Sequence, residues 1–330
     1  MAPVVVFGPT GAVGSAAART AQQLGTTVYL AMRNTTKPIP GLSAEKDREG
    51  DFERVQADFS QPDTISTAVA QSKAKHAFIY TDLTSSDHMQ ASFTALKEAG
   101  IEFVVLLSSF GIQEDVHNVS PEDHIAYVHA QTEISLEEIF GATGYVAVRP
   151  AFYASNTLWW KAPIQTGHVK LAWPAAAFDW ISPEDIGGVC GTILARRAQG
   201  TDLSLAEPYV NLVGAEKMGV GDAVKTIGKG LGKEINVTEV DENVALDSLV
   251  NESGLPEPIA RAVLGMCQSA ANGQSFMDSP RYGPAVGNIE KYLGRPATQL
   301  HSGWRQIGRS SALEILGFSE LILHFMAICN

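Results

Sequence analysis

Cysteine is scarce: the 330 residues contain three, Cys190, Cys267 and Cys329. No two have C-x-x-C spacing, so neither a disulfide framework nor a metal site is expected. Sparse, odd-numbered cysteines in a chain of this size fit reduced thiols and a cytoplasmic location. Positive charge is also short, with 24 Lys and Arg against 36 Asp and Glu, a net charge of −12. That mean field repels phosphate backbones and anionic lipid, so neither nucleic acid nor membrane is expected as a partner. Long apolar runs are missing. The best candidate, 312–329, is interrupted by Glu314, Glu320 and His324 and reads as an amphipathic helix that covers something. The opening MAPVVVFGPTGAVG lacks a cationic start, so it is expected to be a first strand and not a secretion signal. No internal repeat or low-complexity tract is visible.

What is present is a globular composition, 45% hydrophobic and 18% charged, arranged in an α/β rhythm. Short apolar, β-branched runs at 4–7, 28–32, 53–57, 76–80, 103–107 and 145–149 alternate with helix-period segments near 12–24, 64–70, 87–99 and 126–140. Alternation of this kind forces a parallel sheet covered by helices. The expected fold is a Rossmann doubly wound sheet in residues 1–150. A smaller α+β substrate-binding part follows in 151–305, partly interleaved with the sheet, and then a helical tail in 306–330. In the middle part, helices are expected near 219–231, 245–250 and 257–271. Strand-like segments at 209–213 and 235–240 either extend the main sheet or form a second one.

The first strand runs directly into Gly8-Pro9-Thr10-Gly11-Ala12-Val13-Gly14 and then a strong helix start. Gly8 permits the tight turn, Gly11 lets backbone approach a pyrophosphate, and Gly14 lets helix and strand pack closely; the helix N-terminus faces the anion. Nineteen positions after Gly14, where an acid would bind a ribose 2′-hydroxyl, stands Arg33. A guanidinium there suits a 2′-phosphate, so NADP(H) is expected over NAD(H); the alternative is a solvated surface arginine. Asn34, Thr35 and Lys37 follow as further donors. Asp58, after the third strand, is placed either to accept from the adenine amino group or to close a turn. Thr81 and Ser108 end the fourth and fifth strands, at the sheet edge where ligands of such folds bind.

These segments together resemble the NmrA-like branch of the atypical short-chain dehydrogenase/reductase superfamily, with its isoflavone-reductase-like and ergot-alkaloid-reductase-like relatives. The resemblance is carried by GPTGAVG, AMRN, VQADFSQPDTI, VVLLSSFG, VRPAFYASN with Arg149, Pro150 and Asn156, FDWISPEDIG around Asp185, and GRPAT. It implies an NADP-binding fold with Pro150 near the cofactor. It also implies a Tyr-x-x-x-Lys pair, at Tyr127 with Gln131 in the lysine position, where Gln131 can still hydrogen-bond a ribose. In the alternative His-x-x-x-Lys register, His129 is followed by Glu133. Either alignment loses the cation that depresses a phenol pKa.

Tyr127, His129, Glu133 and Ser108 are therefore the candidates for proton handling. The competing roles are core packing for Tyr127 and a surface ion pair for His129 with Glu133. Phe110, Phe152, Tyr153, Asn156, Trp159 and Trp160 are candidates for an apolar substrate pocket, although aromatics at this density also build ordinary core. Three functions stay open. One is an NADPH-dependent oxidoreductase of secondary metabolism that reduces a carbonyl, iminium or enone on a hydrophobic, indole-type or polycyclic molecule. Another is a redox-neutral cyclase or condensing enzyme retaining NADP, with Glu133 or Tyr127 as acid/base. The third is a non-catalytic NADP-sensing regulator that binds a protein partner. The chain is expected to be a monomer or homodimer.

Overall fold

A computed structural model of the chain describes residues 2–42, 52–201, 203 and 205–301. The expected helix at 312–329, the 306–330 tail and Cys329 lie outside the described residues. The chain begins with β1 (Val4–Phe7), α1 (Ala12–Gln23), β2 (Val28–Met32), β3 (Phe52–Gln56), α2 (Pro62–Ser72), β4 (His76–Tyr80) and α3 (Gln90–Glu98). It continues through β5 (Phe103–Leu107), α4 (His124–Phe140), β6 (Tyr145–Pro150), α5 (Lys161–Thr166), β7 (His168–Leu171), β8 (Ala177–Phe178) and α6 (Pro183–Ala198). Then come β9 (Tyr209–Leu212), β10 (Met218–Gly219), α7 (Val220–Gly230), β11 (Asn236–Glu239), α8 (Glu242–Asp247), α9 (Glu257–Ala271), α10 (Tyr282–Ala285) and α11 (Asn288–Leu293). The chain divides into two compact units. Among the described residues, one comprises those up to Pro150, Pro183–Leu212 and Gly287–Pro296; the other comprises Ala151–Ser182, Val213–Val286 and Ala297–His301.

The first unit is built on a seven-stranded sheet in the order β3-β2-β1-β4-β5-β6-β9, every pairing parallel. This is the doubly wound fold expected, with the order reversing between β1 and β4, the switch point beside which such sheets bind ligands. Buried central strands explain the apolar runs: Val4, Val5, Val6, Val104, Val105 and Leu106 have no solvent exposure. Of the two segments left open, 209–213 supplies β9 at the edge of this sheet, whereas 235–240 supplies β11 of a separate pair with β7.

Helix α6 is not among the expected helices, and Gly187, Gly188 and Gly191 within it lower its intrinsic propensity. Packing overrides that propensity. A Cβ on Gly187 would lie 2.4 Å from Val13 O, and one on Gly191 would lie 2.4 Å from Ala17 O, so the two helices touch backbone to backbone. Small residues on α1, Ala16 and Ala17, face them. Arg19 of α1 clamps Glu184 of α6 with bonds of 2.6 and 2.8 Å from one guanidinium nitrogen. Another pairing joins two of the motifs noted above: Arg295 of GRPAT donates to the buried Asp185 of SPEDIG at 2.7 Å. The helix expected from Asp87 begins instead at Gln90. Asp87 accepts from the N–H groups of Met89 and Ala91, and His88 and Met89 are left-handed, so helical geometry starts only after them.

The second unit has an aromatic core. Phe152 stacks on Phe178 with ring centroids 3.9 Å apart, and Trp159 and Trp180 meet Phe152 edge-on. Trp180 is fully buried at a positive φ of 47°, with its indole N–H donating to Met218 O at 2.8 Å. The preceding residue, Asp179, accepts from the backbone N–H of Phe152 at 3.1 Å and of Gly214 at 2.8 Å. One carboxylate thus ties three chain segments together. Helix α8 runs into a π-helical turn at Ser248–Glu252, where a helix near 245–250 was expected.

Candidate functional site

The glycine turn between β1 and α1 is shaped for a phosphate group. Gly8 has φ +67°, and a Cβ on Gly14 would sit 2.3 Å from Gly8 O, so neither position accommodates a side chain without moving backbone. The Tyr80 ring closes over Gly8: a Cβ there would meet it at 2.5 Å. Gly11 is the N-cap of the twelve-residue α1, and no side chain caps it, which leaves first-turn N–H groups for an anion. Thr10, Gly11 and Ala12 are accessible, whereas the Val13 side chain is buried, so Val13 offers only its backbone. This cradle fits a dinucleotide pyrophosphate.

Arg33 and Asn34 follow β2, both exposed. Asn34 Oδ1 accepts from the N–H of Thr36 at 2.9 Å and from its hydroxyl at 2.7 Å, so the asparagine closes a turn with its acceptor and keeps its amide NH2 as a donor. Arg54, which no sequence motif singles out, donates from Nη1 to Thr35 O and Lys37 O at 2.7 and 2.8 Å. Asp58 likewise closes a turn, its Oδ1 accepting from the N–H and hydroxyl of Ser60. Thr81, at the end of β4, is buried, with its hydroxyl 3.3 Å from Leu107 O.

Beyond β5 the structure brings Ser108 and Glu133 together, in a way the sequence did not foresee. Glu133 is not paired with His129 at the surface; it is 2% exposed and bound by Arg149 through Nε at 2.9 Å and through a second nitrogen at 2.5 Å. The Ser108 hydroxyl donates to the same Oε1 at 2.5 Å. Three of the roughly four lone-pair sites of the carboxylate are thereby occupied. The Arg149 guanidinium also lies 4.1 Å from the Tyr209 ring centroid. This cation was invisible as a partner because β6 lies sixteen residues away in sequence and only the fold sets it beside α4.

Tyr127 and Gln131, four apart on α4, share a half-buried face; His129 is also half-buried. The Tyr127 ring meets His88 edge-on, with centroids 6.3 Å apart. His88 was not anticipated. It stands at φ +50°, followed by Met89 at φ +67°, and its Nδ1 is buried without a hydrogen-bond partner among the described residues. Left-handed backbone at two successive non-glycine residues is costly and persists only when the surroundings impose it. Here they do: Met89 N–H is held by Ser85 Oγ and Asp87 Oδ1, Asp82 N–H donates to Met89 Sδ, and the Met89 side chain is buried. The hydrogen bond from Ser85 is the foremost reason that the Asp87 carboxyl is held below its ordinary range.

Of the residues expected to line a substrate pocket, Phe110 is buried in the first unit, its N–H donating to Pro150 O at 3.0 Å. Phe152, Trp159 and Trp160 are buried in the core of the second unit, while Tyr153 and Asn156 retain accessible surface. Among the described residues there is no cluster of three or more His, Cys, Asp or Glu side chains able to hold a metal, and no helix long and apolar enough to cross a membrane. Cys190 and Cys267 are free and buried, and burial pushes the Cys267 thiol up to about 12.

The model of the NmrA-like family matches residues 2–309. The chain is 32% identical over 310 residues to the nitrogen metabolite regulation-like protein bik4 of Gibberella fujikuroi, covering 89% of this chain and 93% of that one. It is 28% identical over 207 residues to festuclavine synthase I of Penicillium roqueforti, covering 59% and 65%. Among solved structures, the Citrobacter triphenylmethane reductase complexed with NADP(H) superposes with a TM-score of 0.67 at 17% identity, over 92% of this chain and 99% of that one. The Escherichia coli NADPH-dependent quinone oxidoreductase QOR2 with NADPH does so equally, with a TM-score of 0.67 at 17% identity over 93% and 100%.

Proposed function

This chain belongs to the NmrA-like family, and from that premise we propose that it is an NADP(H)-dependent reductase of a hydrophobic small molecule. The observation that carries the reading is the pairing of a side-chain-free phosphate cradle at Gly8–Gly14 with Arg33 in place of the acid that would bind a ribose 2′-hydroxyl. Reductases that take NADPH share this fold, and festuclavine synthase I adds a relative at the level of sequence. The glycine turn and the α1 N-terminus hold the pyrophosphate, Arg33 binds the 2′-phosphate, and Gln131 is the neutral partner for the nicotinamide ribose. Bound NADPH supplies the hydride.

Tyr127 is then the proton donor, and His88 holds its ring in place. Glu133 has a different role from the acid/base first considered. With Arg149 and Ser108 occupying it, the carboxylate orders the ends of β5 and β6 rather than shuttling protons, which removes the support for a cyclase built on Glu133. No lysine stands at either register near Tyr127, which favours a substrate that makes small demands on the acid, such as an iminium or a conjugated enone or quinone.

The match to bik4 favours a second reading, an NADP-sensing regulator without turnover. Stereospecifically deuterated [4-2H]NADPH, offered with a panel of iminium, enone and quinone acceptors and read by mass spectrometry, separates the two. Deuterium in a product is expected. NADP+ binding with no product from any acceptor would leave the regulator.

A further inference from the structure

Arg54 lies on the edge strand β3, in register with Leu30 of β2. From there it reaches the turn that follows Arg33, donating from Nη1 to Thr35 O at 2.7 Å and to Lys37 O at 2.8 Å. The turn is also closed on itself: the Lys37 N–H donates to Asn34 O at 3.2 Å, and Asn34 Oδ1 takes both donors of Thr36. On its other side Arg33 follows Met32, which is buried in the sheet. The exposed arginine therefore projects from backbone fixed on both sides, by the core before it and by a cross-braced turn after it.

Two physical consequences follow. Carbonyl oxygens are the negative ends of peptide dipoles, and two of them gathered on one turn would repel an incoming phosphate dianion; a guanidinium bonded to both offsets that field. A flexible loop would also lose conformational entropy each time a ligand ordered it, and a turn already braced does not.

We propose that Arg54 is a specificity-determining positioning residue for the 2′-phosphate of NADP(H): by bridging Thr35 O and Lys37 O it fixes the turn from which Arg33 presents its guanidinium. This rests on the cofactor reading above. Plain NAD(H) lacks the 2′-phosphate and makes no use of the brace.

The test compares NADP+ with NAD+, which differ only in that phosphate, by calorimetric titration of the full chain. Wild type favours NADP+. Arg54→Gln weakens NADP+ binding roughly tenfold, the equivalent of one charged hydrogen-bonded contact, and leaves NAD+ binding within about twofold. Arg54→Lys keeps the charge, but its ammonium ends one bond short of the position of Nη1, and it sits between the two. In an Arg33→Gln background, Arg54→Gln adds little further, because the brace acts through Arg33. Equal weakening of both dinucleotides would make Arg54 a merely structural residue and overturn the proposal, as would an unchanged preference in Arg54→Lys should the glutamine variant not fold. A wild type without preference for NADP+ overturns the cofactor reading itself, and shows this before any Arg54 variant is made.

Discussion

Glu133 in the first unit and Asp179 in the second are both carboxylates buried almost completely, and the two are satisfied differently. In the first unit Glu133 is bridged by the Arg149 guanidinium and the Ser108 hydroxyl. In the second, Asp179 accepts from the backbone N–H groups of Phe152 and Gly214. For Asp179, burial outweighs those hydrogen bonds and pushes the carboxyl up to about 6. Both carboxylates fasten distant chain segments together. A guanidinium answers buried charge with charge; amides alone leave desolvation dominant, so the fastening in the second unit responds to protons near neutral pH.

The largest expected effect breaks the first member of this pair. Glu133→Ala leaves the 2%-exposed Arg149 charged and unpaired, at a cost of about 3–5 kcal/mol in urea denaturation. Adding Arg149→Met removes the stranded charge and recovers much of the loss. A double variant no more stable than Glu133→Ala alone would mean that the pair is not the unit of stability, and the contrast with Asp179 would collapse.

The second member is tested through pH. Because the folded-state pKa of Asp179 lies above its ordinary 3.8, the unfolded chain releases this proton first as pH rises. Below about pH 4 both states are protonated and the group contributes nothing. Between about pH 4 and 6 stability falls, by roughly 2–3 kcal/mol, and it then stays level. Other carboxylates add slopes of the opposite sign, so the quantity to measure is the difference between wild type and Asp179→Asn. The asparagine variant loses one acceptor, costing about 1 kcal/mol at pH 4, and its deficit shrinks or reverses by pH 7. A difference independent of pH would show that Asp179 is ionised throughout and that its amide donors suffice.

What the sequence made legible followed from how local the cause was. Buried parallel strands show as apolar runs, and a phosphate turn must be nearly free of side chains, so β1 to β6 and Gly8–Gly14 could be read directly. Helix α6 could not, because Gly187 and Gly191 lower intrinsic helix propensity and are tolerated for a reason that exists only once α1 lies against them. The partner of Glu133 was hidden similarly: His129 is near in sequence, but the fold delivers Arg149. Arg54 sits in a short, partly exposed strand whose pattern announces nothing beyond an edge. In the second unit, aromatic density was compatible with a pocket but pointed more to core. Phe152, Trp159 and Trp160 are core, while Tyr153 and Asn156 stay accessible.

The smallest effect concerns backbone strain, which no composition or spacing reveals. His88 occupies left-handed space that asparagine enters more readily, because a short amide side chain can hydrogen-bond locally there. His88→Asn is therefore expected to raise stability by about 0.5–1 kcal/mol, a small shift in thermal midpoint, by relieving part of the strain. It also removes the ring that meets Tyr127 edge-on. If the loop is strained in order to hold that ring, kcat for the best acceptor falls roughly tenfold through misplacement of the phenol, while KM and NADP+ affinity change little. A variant that is more stable and fully active would make the strain an accident of the Asp82–Met89 hydrogen bonds. One that is less stable would show that the imidazole itself is part of the packing, with its buried Nδ1 tolerated for the sake of the contact.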